Sequence, residues 1–144
     1  MRIIFLDFDG VLNTFTKFSE AGTFSKAAVS NLNRLLGSAP DLKVVISSAW
    51  RKHGLEFCKK LLEKNGIDSS IAIDCTDFDN VAEGSIHRGV YIARWLKQHP
   101  EVNHFVIIDD HSDMDDLSNH LVKTNSWIGI TESDVSQALE ILQK

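Results

Sequence analysis

Two aspartates one residue apart follow four apolar residues near the start of the chain, where Ile3-Ile4-Phe5-Leu6 runs into Asp7-Phe8-Asp9-Gly10-Val11. Carboxylates placed directly after an apolar run are an expensive way to make a turn, because each must stay hydrated or find a partner. A second apolar run, Val44-Val45-Ile46, ends in Ser47-Ser48, and a third, Phe105 to Ile108, ends in Asp109-Asp110. Parallel strands would bring all three endings to one sheet edge, which is where open α/β sheets bind ligands. Four carboxylates converging there repel one another unless a cation neutralises them. Oxygen-only ligands favour a hard ion, so Mg²⁺ is the expected cofactor. Such an ion also attracts a phosphate dianion and offsets its repulsion from an attacking carboxylate. Hydroxyl and cationic donors would complete a site for phosphoryl transfer, and Ser47, Ser48 and Arg88 carry those groups. A plainer reading stands beside this one, since a Ser or Asp ending a strand also serves as the cap of the next turn or helix. An EF-hand loop does not fit, because Leu12 occupies the sixth position, where that loop needs glycine.

The elements that must position these residues can be read from periodicity. Uninterrupted apolar runs predict buried strands over 3–6, 44–46 and 105–108, with weaker ones over 71–73, at the sheet edge, and 121–123. Helical stripes alternate with them. Ala28, Leu32, Leu35 and Leu36 predict a helix over 25–36 stopped by Gly37, and Leu55, Cys58 and Leu62 one over 54–64 ended by Asn65-Gly66. Ile92, Trp95 and Leu96 predict a helix over 87–98, with Trp95 in the core. Thr131-x-x-Asp134 is a capping-box signal that opens a last helix bearing Val135, Ala138, Leu139 and Leu142. Strands alternating with helices imply an α/β chain, a three-layer Rossmann-like sandwich around a mostly parallel sheet. No repeat, low-complexity stretch or linker interrupts it, so 1–144 is expected to form a single domain, with 74–85 as its longest loop.

Composition narrows the function. Apolar residues make up 43% and charged residues 24% of the 144, as in ordinary globular proteins. A formal charge of -5 argues against an overall electrostatic footprint for nucleic acid or an anionic membrane. Arg51, Lys52, His53, Lys59, Lys60 and Lys64 are locally basic, either a guide for a polyanion or a solvated helix face partnered by Glu56 and Glu63. Cys58 and Cys75 lack the spacing of a zinc site or a disulfide scaffold, no stretch is apolar enough to span a membrane, and the expected location is cytoplasmic.

Asp7-Phe8-Asp9-Gly10-Val11 after an N-terminal apolar strand resembles the D-x-D-x-[TV] signature of haloacid-dehalogenase (HAD)-like phosphatases. The order of the later parts agrees: serine after the next main strand, a basic residue at a helix start, and an acidic pair after a later strand. Ser47-Ser48-Ala49-Trp50-Arg51, then Arg88 in a helix bearing Trp95-Leu96, then Asp109-Asp110, is similar to the small HAD domains associated with RNA-repair proteins. The resemblance implies that Asp7 attacks phosphorus and forms an aspartyl-phosphate, while Asp9 protonates the leaving oxygen and then activates water. It implies Ser48 or Ser47 as hydrogen-bond donor to the phosphoryl group, with Ser48 the better alignment. Arg88 would hold the phosphate and keep Asp7 ionised, although lysine is the commoner residue there and Lys97 lies too far along the helix to replace it. Mg²⁺ would sit among Asp7, Asp9 (through its backbone carbonyl), Asp109 and Asp110, with Asp113 as a competing acid. Asp113, Asp115 and Asp116 read equally as a solvated acidic loop.

Segments 13–24 and 65–86, where this family inserts its substrate-selecting caps, are short, so at most a hairpin flap is expected in the first and no substantial cap in the second. An open site suits a large substrate carrying an exposed phosphate, such as a nucleic-acid end or a phosphoprotein. Trp50 and His111 flank the motifs; Trp50 reads as sheet-edge packing or as a base-stacking residue, and His111 as an exposed loop residue or a substrate contact. Two alternatives share the acidic cluster. A metal-dependent nuclease would use it to activate water directly, and a non-catalytic module would use it to bind a phosphorylated ligand. A receiver domain has its acidic pair first and its phosphoacceptor on a middle strand, the reverse of the order here.

Overall fold

The computed structural model describes residues 1–14, 22–82 and 84–144. Five strands, β1 (Arg2–Leu6), β2 (Leu42–Ile46), β3 (Ala72–Cys75), β4 (His104–Asp109) and β5 (Leu121–Lys123), form one sheet in the order β3-β2-β1-β4-β5, with every pairing parallel. Four α-helices connect or flank them: α1 (Lys26–Gly37), α2 (Leu55–Lys64), α3 (Arg88–Gln98) and α4 (Glu132–Gln143).

Strand order and the handedness of parallel crossovers together decide which helix covers which face. From β1 the chain steps to β2 and then β3 in one direction, so right-handed crossovers lay α1 and α2 on the same side. From β3 it returns past β1 to β4, and the reversed direction puts α3 on the opposite side. The cores follow. Ile4, Leu6, Val44, Ile46, Val106 and Ile108 pack against residues of α1, α2 and α4, including Leu32, Leu35, Cys58, Leu62, Val135 and Leu142. The alternate residues Ile3, Phe5, Val45 and Ile107 pack against Ile92 and Trp95 of α3 and against Met114. The result is the three-layer α/β/α sandwich, buried on both faces of the sheet as the unbroken apolar runs require.

Most element boundaries match the apolar patterns to within two residues. Gly37 is the last helical residue of α1 rather than its stop, and the Ser38 N–H closes the helix onto Leu35 O. The Thr131 capping box is formed in full at the start of α4. The edge strand β3 starts one residue later than the 71–73 run and ends two residues later, with a register shift against β2 between Val44 and Val45. Trp95 is buried, and its ring meets Phe5 edge-on at 5.4 Å. Asp74 Oδ2 accepts the Trp95 indole N–H at 2.8 Å, so this core tryptophan has the polar partner its N–H requires. Residues 65–86, as far as described, hold a short 3-10 turn, β3 and a loop, with no folded cap. The flap expected within 13–24 falls largely on 15–21, outside the described residues.

Candidate active site

The sheet reverses direction between β1 and β4, and at such a switch point the two strand ends diverge and leave a crevice. Pairing continues just past β1: Asp7 N–H donates to Ile108 O at 3.1 Å and Ser47 N–H to Leu6 O at 3.0 Å. Asp7, Ser47 and Asp109 are thus neighbours in register. Side chains alternate along a strand, so each continues the α3-facing row of its own strand, Asp7 after Phe5, Ser47 after Val45 and Asp109 after Ile107.

Arg88, the first residue of α3, reaches into this row. Its Nη1 lies 2.9 Å from Asp7 Oδ2 and 2.8 Å from Asp109 Oδ2, with both carboxylates almost fully buried. Asp113 holds the helix start that carries Arg88, its Oδ2 accepting the Arg88 N–H at 3.1 Å and its main-chain oxygen that of Gly89. A Cβ on Gly89 would run into the Met114 backbone, so only glycine lets this loop close on the helix. Asp113, a competing metal ligand in the sequence, is here the cap of α3, a role its distance in sequence from Arg88 concealed.

The acidic pair on β4 divides its work. Asp109 Oδ1 accepts the His111 N–H at 2.9 Å, and Asp110 Oδ2 accepts the Ser126 hydroxyl at 2.9 Å. His111 Nδ1 lies 2.9 Å from Asp110 Oδ1. One ligand atom each from Asp7, Asp109, Asp110 and His111 falls within 4.8 Å of the others. Among the described residues, Asp7 Oδ2 receives no hydrogen bond apart from the Arg88 contact, nor does Asp110 Oδ1 apart from the His111 contact. Buried carboxylate oxygens left in this state are what a divalent cation would satisfy, and the donor set fits one. Burial, and after it the neighbouring Asp109 charge, hold the Asp7 carboxyl well above the usual carboxylate range, with Arg88 opposing. Burial likewise raises Asp109 against the pull of Arg88. Burial works in the same sense on Asp110, but the Ser126 hydroxyl and nearby groups outweigh it and hold that carboxyl low. Arg88 is driven the other way: burial would lower it, yet Asp7 and Asp109 more than compensate and fix its charge.

A tight turn separates Asp7 from Asp9. Phe8 O accepts the N–H groups of Val11, Leu12 and Asn13, and the Phe8 ring is buried beside Phe24. Gly10 adopts φ +84°, and any Cβ there would overlap the Asp110 carboxylate. Thr124 Oγ1 donates to Gly10 O at 2.8 Å and ties the turn to the end of β5. Gly10→Ala is therefore expected to cost about 2 kcal/mol or more, from the left-handed backbone and the displaced Asp110 together. A denaturant titration checks this, and an unchanged midpoint would contradict the close approach.

Asp9 stands apart from the acidic cluster. Its Oδ2 accepts the Trp50 indole N–H at 3.0 Å, and its Oδ1 the Asn13 amide at 3.3 Å. Trp50 is thus neither sheet-edge packing alone nor a free stacking face. The two serines differ as well. Ser48 Oγ accepts the Trp50 backbone N–H at 3.2 Å and caps the 3-10 turn 49–53, whereas the buried Ser47 Oγ has no hydrogen-bond partner among the described residues. Arg51 drops out of the basic stretch. It is buried, and its guanidinium donates to the carbonyls of Ser47, Ser48 and Asp77, closing the loop that presents the serines.

The family model for the HAD domain in Swiss Army Knife RNA repair proteins matches residues 3–135. The chain belongs to this family. The match spans β1 through the first turn of α4 and includes every element that contributes to the crevice. It makes the chain a HAD-like domain, in agreement with the parallel sheet and with the lack of a large cap among the described residues. No curated protein and no solved structure matches the chain at a significant level. Among the described residues, no helix is long and apolar enough to cross a membrane.

Proposed function

We propose that the chain hydrolyses phosphate monoesters through an aspartyl-phosphate on Asp7, with Mg²⁺ as cofactor. The observation that carries this reading is the single guanidinium of Arg88 set between the buried carboxylates Asp7 and Asp109 at the sheet's switch point. A nuclease that activates water on its metal needs no cation bridging a buried nucleophile and a metal ligand, since it forms no covalent intermediate. A phosphatase does, because Arg88 can grip the phosphoryl group while keeping the nucleophile charged.

In this reading an Asp7 oxygen forms the new bond to phosphorus as the ester P–O bond breaks, and Asp9 gives its proton to the departing oxygen. Water then attacks the phosphorus of the aspartyl-phosphate, the Asp7 O–P bond breaks, and Asp9 takes the water proton. Ser47 is the preferred hydroxyl donor to the phosphoryl group, since it shares the face of Asp7 and has its hydroxyl uncommitted, while Ser48 serves as a cap. Asp7, Asp109 and Asp110 would hold Mg²⁺ with the Asp9 carbonyl. The ion would supply charge neutralisation between nucleophile and phosphate. In metal-free protein, saturating Mg²⁺ is expected to raise the melting temperature by roughly 5–10 °C, as ligand linkage of about 2–3 kcal/mol gives for a domain of this size. Asp109→Asn should lose most of that shift in the same thermal melt.

The substrate proposed is an exposed phosphate on a large molecule, a nucleic-acid end in the first place. A hollow of about 190 Å³ opens beside Arg88, lined among others by Lys52, Phe78, Val81, Tyr91 and His111. Phe78 is 44% exposed, and the buried Arg51 guanidinium lies 5.9 Å from its ring centroid. An aromatic face next to a phosphate grip suits a terminal base, which gains by stacking irrespective of its identity. The test compares Mg²⁺-dependent phosphate release from small phosphorylated metabolites, phosphopeptides, and DNA and RNA carrying a terminal phosphate at either end. Beryllofluoride trapping on Asp7 runs alongside. Failure to form the adduct together with cleavage of internal phosphodiesters would establish the nuclease instead.

A further inference from the structure

Nothing in the charge chemistry of the acidic cluster accounts for the bond between Trp50 and Asp9. The contact at 3.0 Å joins the turn after β1 to the 3-10 turn after β2, two segments 41 residues apart. The donor is clamped on several sides. Ser48 Oγ accepts its backbone N–H, the Cys58 thiol donates to its carbonyl at 3.5 Å, and its ring stacks on Phe57 at 6.0 Å between centroids with 11° between planes. The segment beneath it is locked in turn by the Arg51 guanidinium on the carbonyls of Ser47 and Ser48. A side chain held this firmly dictates to its partner, not the reverse.

We propose that Trp50 is a positioning residue for the proton transfers of Asp9. The inference rests on the phosphatase reading above. An indole N–H only donates, so Asp9 Oδ2, which accepts it, is committed, and the transferable proton belongs on Oδ1. The other contact, from the Asn13 amide to Oδ1, is long at 3.3 Å and gives way readily. Trp50 thereby selects both the rotamer of the carboxyl and the oxygen that works. When the ester P–O bond breaks, the leaving oxygen takes the Oδ1 proton, and Asp9 remains as a carboxylate still bonded to the indole. In the second step the same Oδ1 recovers a proton from the attacking water.

The experiment exploits the fact that a good leaving group needs no proton. Trp50→Phe keeps a ring over Phe57 and deletes the N–H. The quantity read is kcat/KM, which reports only up to formation of the aspartyl-phosphate, for an alkyl phosphate and for 2,4-dinitrophenyl phosphate. The expected result is a loss on the order of 10- to 100-fold with the alkyl ester, part of the roughly 10²–10⁴-fold that a general acid supplies, and less than about twofold with the dinitrophenyl ester. Equal losses with both esters, or no loss with either, would overturn the assignment. Should Trp50→Phe fail to fold, incorporation of 3-benzothienylalanine at position 50 preserves the bicyclic shape without the N–H, and the same comparison decides. If the wild-type protein turns over neither ester, the phosphatase reading itself falls; if it turns over both and the variant shows no leaving-group dependence, only the role of Trp50 does.

Discussion

Asp7→Asn is expected to lower Mg²⁺-dependent turnover of an aryl phosphate on the order of 10⁴-fold or more, and to abolish the beryllofluoride adduct. Removing a nucleophile eliminates the covalent route instead of weakening it, which is why such losses exceed those from removing a single hydrogen bond. The fold should not suffer. Burial and the neighbouring Asp109 disfavour the charged form of Asp7, with Arg88 opposing, so an uncharged amide of the same shape removes an electrostatic liability. The sign of the accompanying pH effect follows. A carboxyl raised in the folded state contributes stability that is fully present below the ordinary carboxylate range, about pH 4, and is lost as pH rises through its raised value. Metal-free wild-type protein should therefore lose stability relative to Asp7→Asn as pH goes from about 4 towards neutrality. Denaturant midpoints measured across that window for both proteins check it. Parallel curves would mean that Asp7 is not raised, and substantial turnover by Asp7→Asn would remove it as nucleophile.

Arg88→Ala should be the most destabilising single substitution in the crevice, at about 3–5 kcal/mol near neutral pH. The magnitude comes from what remains behind: two carboxylates, 1% and 0% exposed, with their shared cation gone. The loss corresponds to roughly 10 °C or more in melting temperature for a domain of this length. It should shrink at pH 5, where Asp7 and Asp109 can relieve the repulsion by protonating, and shrink again in Mg²⁺. Arg88→Lys should lie between, since it retains the charge but brings one ammonium in place of a planar fork. Urea titrations of the three proteins at pH 5 and 7, with and without Mg²⁺, separate these contributions. An effect below about 0.5 kcal/mol, as for an ordinary surface arginine, would show that the guanidinium does not reside between the carboxylates.

Arg88 also shows how far a linear reading reaches. Its residue type and its place at a helix start were visible, and so was the likelihood of an acidic partner; that one nitrogen serves Asp7 and Asp109 together was not. Asp113 was visible as an acid, but its hold on the start of α3 was not, because capping a helix that begins 25 residues earlier in the chain leaves no local pattern. The serines were ambiguous by one position. Alternation along β2, counted from the α3-facing Val45, separates them in a way the run of apolar letters does not, since both faces of that strand are buried and carry the same residue types. Arg51 belonged to a run of basic letters, yet its guanidinium donates to two carbonyls of its own loop and to the Asp77 carbonyl after β3. Charge count tells nothing about where a long side chain turns.

The sequence by itself determined the layers and the cast. Short apolar runs alternating with amphipathic stripes admit little besides a covered parallel sheet, and acids and hydroxyls at the ends of its strands must share an edge, because parallel strands all end on the same side. Those are consequences of local periodicity, which the chain carries in every stretch of ten residues. Only the tertiary structure decided which side chain faces which: that Trp50 holds Asp9, that Asp113 supports Arg88, that Gly10 makes room for Asp110. Each of these depends on the relative placement of segments far apart in the chain, set by sheet register and crossover handedness, and at that range neighbouring letters hold no record of the contact.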